Sequence, residues 1–218
     1  EALSVDSNIP VRGEGGVSIQ AEAASWGGRT LSGFYADVGS VGDEISFLLG
    51  NREGSENRVS IWGGASVVDE SLSVRVDSAR IQLQDEYVVN RGPISLSHSP
   101  TSGLVVHQLY LVGPSGELEA ASQDESGAIS IRVHQFDLAP WAFLVGMDDR
   151  IEGKLSGRVS IEGGISNLTT LATLEVVDGR IDSFRADTIY SEVSYQGGHV
   201  SGKVGARVST GDVHIEGS

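Results

Sequence analysis

Apolar and polar residues alternate along most of the chain in short runs. The segment Ile151–Glu162 carries the pattern most clearly: Ile151, Gly153, Leu155, Gly157, Val159 and Ile161 share one parity, and Glu152, Lys154, Ser156, Arg158, Ser160 and Glu162 share the other. Side chains on a strand point to opposite faces with period two, so this segment has one oily and one charged face. Comparable runs predict strands at 17–23, 31–38, 45–49, 58–62, 71–76, 80–84, 87–90, 94–98, 104–112, 117–122, 128–136, 154–162, 170–177, 180–186, 188–195, 199–208 and 212–216. Turn signals separate them at Gly15-Gly16, Gly63-Gly64, Pro114-Ser115-Gly116, Gly163-Gly164, Asp178-Gly179 and Gly197-Gly198. Asp178-Gly179, between two alternating runs, predicts a hairpin.

One stretch breaks the alternation. Asp137 and Pro140 near its start and Gly146 at its end predict a short helix near 138–146. Apolar residues lie on nearly every side of it, which predicts that Trp141, Phe143 and Leu144 plug or cap the oily face. Loose echoes such as Leu155-Ser156-Gly157 and Val200-Ser201-Gly202 recur without a fixed period, and no linker composition interrupts them. The expectation is an all-β fold: one continuous, repeat-like domain over 1–218, a long curled and mostly antiparallel sheet with an apolar concave face.

Composition supports strands over helices or disorder. Glycine is abundant (29 residues), aromatics make up 6%, and Val, Ile, Leu and Ala supply most of the apolar content. A net charge of −15 repels phosphate backbones and argues against nucleic acid, and equally against docking on anionic headgroups. It keeps a sticky sheet in solution. With no cysteine, disulfides, thiolate metal sites and cysteine nucleophiles are excluded. No apolar run reaches the length of a membrane span, and no leader pattern opens the chain. Its start at Glu1 rather than Met suits the expectation of a piece cut from something longer.

The chemistry of catalysis is not written here. His98, His107, His134, His199 and His214 fall in no metal-ligand spacing. Gly197-Gly198-His199-Val200-Ser201-Gly202-Lys203-Val204 approaches a phosphate loop but has Val where Ser or Thr is needed, and no helix follows. Adjacent acids, such as Asp43-Glu44 and Asp148-Asp149, point apart on strands and are solvated in turns, and no calcium-loop spacing accompanies them. The sequon Asn167-Leu168-Thr169 matters only in a eukaryotic secretory route. The reading is a non-enzyme with no catalytic residue, metal or cofactor.

Phe136-Asp137-Leu138-Ala139-Pro140-Trp141, followed by Gly153-Lys154-Leu155-Ser156-Gly157-Arg158-Val159-Ser160-Ile161-Glu162-Gly163 and then Val176-Val177-Asp178-Gly179-Arg180-Ile181, resembles the C-terminal part of the TamB family. These are the translocation and assembly module proteins of the AsmA-like group. The likeness is best over 85–218. It departs at Gly164-Ile165-Ser166-Asn167, where the family's proline is missing. The resemblance implies a periplasmic segment of a protein anchored in the inner membrane, its membrane contact lying outside this stretch. It implies a taco-like half-pipe that carries phospholipids toward the outer membrane and supports outer-membrane biogenesis, with phospholipid acyl chains and an outer-membrane barrel protein as partners. Within it, strand parity nominates Leu155, Val159, Ile161, Leu174, Val176, Ile189, Val193, Val200 and Val204 as the lipid-binding groove. The same residues would build the dry core of a closed sandwich if the sheet folded on itself. A second function is open too: a structural module that assists outer-membrane protein assembly by pairing its edge strands with client strands.

Overall fold

A computed structural model describes residues 3–8, 14–26, 29–51, 57–83, 85–101, 103–123, 128–145, 150–163, 168–209 and 211–217. Of these, residues 139–145 form a 3-10 helix and the remaining regular structure is strand. The chain divides into two compact units, Glu1–Pro114 and Ser115–Ser218, at the Pro114-Ser115-Gly116 turn.

The first unit contains β1 (Leu3–Asn8), β2 (Glu14–Trp26), β3 (Arg29–Val41), β4 (Glu44–Asn51), β5 (Asn57–Val68), β6 (Ser71–Leu83), β7 (Glu86–Asn90), β8 (Ile94–Ser99) and β9 (Gly103–Gly113). The antiparallel order is β1-β2-β3-β4-β5-β6-β7-β9, and β8 pairs with β6 and β9. Register aligns the apolar parities into rows across the sheet. Ile19, Ala36, Leu49, Ile61 and Ala79 stand directly opposite one another on five successive strands. Strand β6 has two partners, β7 along Arg80–Leu83 and β8 along Leu72–Val76. At the changeover the Asn90 amide replaces the missing ladder. Its Oδ1 accepts from the Ala79 N–H at 2.7 Å, and its Nδ2 donates to the carbonyls of Asp77 (3.1 Å) and Gly92 (2.7 Å). Asn51 does the same at the end of β4, donating to the Asn57 carbonyl and accepting from the Val59 N–H. Leu83, Val88, Ile94 and Val106 are buried around this changeover.

The second unit is a meander: β10 (Gly116–Ser122), β11 (Ile129–Asp137), the 3-10 helix Ala139–Val145, β12 (Ile151–Glu162), β13 (Thr169–Ile181), β14 (Phe184–Gln196), β15 (His199–Val208) and β16 (Gly211–Gly217). Each strand pairs antiparallel with the next in sequence. Among the described residues β10 and β16 do not pair, so the sheet is open. The fold is therefore almost entirely β, made of curved antiparallel sheet without barrel closure, and the helix lies where the sequence places it.

Several turn signals prove to be irregularities inside longer strands. Asp178-Gly179 makes no hairpin. Strand β13 runs through it to Ile181, and the reversal falls at Asp182-Ser183. Asp178 takes a left-handed φ of 52° within a strand that has lost register with β12 between Glu152 and Lys154. A bulge needs the same backbone as a tight turn, so an Asp-Gly pair serves either. The separate strands expected at 71–76 and 80–84 are one strand, β6, with a register shift opposite Trp62/Gly63. Gly15-Gly16 and Gly63-Gly64 likewise sit inside β2 and β5. Strand β1 was not anticipated. Gly164 and the sequon residue Asn167 lie outside the described residues, as do the side chains of Phe143 and Leu144.

A candidate hydrophobic binding face

The register of the second unit gathers the predicted groove residues on one face. Leu155 opposes Val176, which opposes Ile189, then Ala206 and Val213. Val159 leads through Ala172 to Val193 and Gly202. Gly157, Leu174, Ser191, Val204 and Ile215 form a third row, and Ile161, Thr170, Tyr195 and Val200 a fourth. Directly opposed residues share a face, so all the nominated side chains do so.

Glycine makes room on that face, as at Gly157 and Gly153. A Cβ on Gly157 would strike the backbone of β13, and one on Gly153 would meet Val176 Cγ1 at 2.6 Å, each at a left-handed φ (156° and 123°).

The face is graded in cover. The nominated residues from Leu155 to Val193 are half-buried, whereas Val200 and Val204 are 60% and 42% exposed. On the outermost strand Val213 and Ile215 are 47% and 67% exposed. The buried apolar residues of this unit are small (Ala120, Ala186 and Ala206), or belong to the helix (Trp141 and Ala142). No large apolar side chain on the described strands of this unit is buried, as a dry sandwich core would require. The helix covers the face at Phe136. Trp141 lies against Phe136 with ring centroids 5.7 Å apart, and Phe136 opposes Leu155.

The opposite face is mostly polar, with Leu171 and Val177 exposed on it, and its ion pairs are cross-strand neighbours. Glu119 opposes Arg132, Glu152 opposes Arg180, Glu192 opposes Lys203 and Arg207 opposes Asp212, each joined by a salt bridge. Glu192 raises the Lys203 pKa, first through their hydrogen bond. At the end of the sheet Arg150 donates to both carboxylate oxygens of Asp182, at 2.5 and 2.8 Å, and holds that carboxyl below its usual range. Tyr190 lies across the bare backbone of Gly205 to bond His214 Nδ1 at 2.5 Å, tying β16 to β14. In the first unit a depression of about 840 Å³ opens beside Leu48 and Trp62, on the face opposite the row from Ile19 to Ala79.

Sequence reasoning missed part of the apolar face. Val213 and Ile215 alternate visibly and were available to the same parity argument. Phe136 was not, because β11 slips between Val133 and Phe136. Gln135 takes a φ of 48° there, and its N–H bonds Ser156 Oγ in place of the lost ladder bond.

Among the described residues no group of three His, Cys, Asp or Glu is placed to hold a metal ion, and no helix is long and apolar enough to cross a membrane. No protein-family model, curated protein or solved structure matches the chain.

Proposed function

We propose that the apolar face of Ser115–Ser218 holds phospholipid acyl chains, and that the chain is a groove segment of a TamB-like bridge. In this reading it lies in the periplasm, carries phospholipids between inner and outer membranes and supports outer-membrane biogenesis. The supporting observation is the exposure of an aligned apolar surface, from half-buried Leu155 and Val159 to largely exposed Val200 and Ile215. Strands β12 to β16 span roughly 19 Å at ~4.8 Å per strand. About eight methylenes in contact gain roughly 6 kcal/mol at ~0.8 each. That holds a chain without a specific contact, and equivalent rows let it move from strand to strand. Headgroups stay in water.

The test is lipid co-purification with photo-crosslinking from Val159. Phospholipid should label at Val159, and Val159→Asp should abolish that lipid while the fold is kept. Unfolding of Val159→Asp, or absence of lipid from the folded protein, would overturn the reading.

A second reading has its own support. Strand β16 is exposed at every residue and pairs with β15 along one edge. Such an edge offers a row of backbone groups to a client strand. An added alternating Val/Ser peptide that slows amide exchange along β16, with no lipid labelled at Val159, would favour strand pairing.

A further inference from the structure

The covered end of the apolar face contains a polar group with nothing to bond. Trp141 is 9% exposed, and its indole Nε1 is buried without a hydrogen-bond partner. An orphaned buried N–H costs free energy that native structures seldom leave unrecovered. Hydrogen bonds place the start of the helix that carries it. The Leu138 N–H donates to the Gly153 carbonyl (3.0 Å), the Trp141 N–H to the Leu138 carbonyl (3.1 Å) and the Ala139 N–H to Asp137 Oδ1 (3.1 Å). Its indole occupies the surface of Phe136, in the row that continues through Leu155, Val176 and Ile189.

The geometry points to Trp141 as a carbonyl-binding group at the covered end of the face, and so to an acyl ester as the ligand class. This rests on the acyl-chain reading above. The 3-10 helix is then a displaceable cover. A chain entering the row takes over the contact with Phe136, the helix shifts, and the indole N–H donates to the ester carbonyl. A plain hydrocarbon would compete for the same surface but leave the donor orphaned. No covalent step is involved.

The full chain is titrated with 1-palmitoyl lysophosphatidylcholine and with its 1-O-hexadecyl ether analogue, which lacks the carbonyl. The ester should bind roughly fivefold more tightly, the effect of one neutral hydrogen bond. Trp141→Phe keeps an aromatic cover without the N–H, so the two ligands should then bind equally. In a Trp26→Phe/Trp62→Phe background, where Trp141 is the sole indole, the ester should shift the emission. Equal affinities in the unaltered protein, or an ester preference that survives Trp141→Phe, would overturn this inference while leaving acyl-chain binding intact. Failure of both ligands to bind would overturn both.

Discussion

The two units use the same alternating strands and reach different ends. In Glu1–Pro114 the order is broken once: β6 exchanges β7 for β8 midway, and Leu83, Val88, Ile94 and Val106 become buried beside the break. In Ser115–Ser218 every strand pairs with its sequence neighbour, and the large apolar side chains of the described strands stay half-buried or exposed. A regular meander spreads its apolar parity over one surface. Burial needs a departure from regularity, such as a strand with two partners or a helix laid across the sheet. That departure must be healed with polar groups, as Asn90 does at β6.

The contrast can be broken most sharply by placing the same charge on each face. Val88→Asp, at a 4% exposed position, should cost about 4 kcal/mol or more, whereas Val204→Asp should cost about 1 or less, both read by urea denaturation. Equal losses would mean that the second unit's face is covered after all. Asn90→Ala removes the hydrogen bonds that heal the changeover. A loss of about 3 kcal/mol is expected, with faster exchange of the Ala79 amide and no change at β13 to β16.

The smallest effect is electrostatic. Arg150 lowers the Asp182 pKa, so the folded value lies below the unfolded one. The pair therefore stabilises above the unfolded carboxylate value of about 3.9, and the contribution disappears as pH falls through the folded value. Thermal melts of the parent chain and Asp182→Asn should differ slightly at neutral pH and converge in acid. Both side chains are exposed, so the difference is small. A gap that widens on acidification would reverse the assignment.

Strand content and the short helix were legible because both are local. Alternation within Ile151–Glu162 needs only neighbouring residues, and so does the run of apolar residues around Trp141. Strand continuity was less legible. The Asp-Gly pair at 178–179 has the chemistry of a turn, and only pairing with β12 and β14 makes it a bulge. Bulges also reset parity. Val133 and Phe136 are three residues apart, yet both stand on the apolar face, which strict alternation forbids.

The sequence by itself determined that most strands have an oily side and a charged side, because period two is built into each strand's own backbone. Only the tertiary structure decided which oily positions lie in one row and which are covered. Register, bulges and the seat of the 3-10 helix depend on residues far apart in the chain, such as Leu155 with Val176 or Trp141 with Phe136 and its row. No local pattern carries that information.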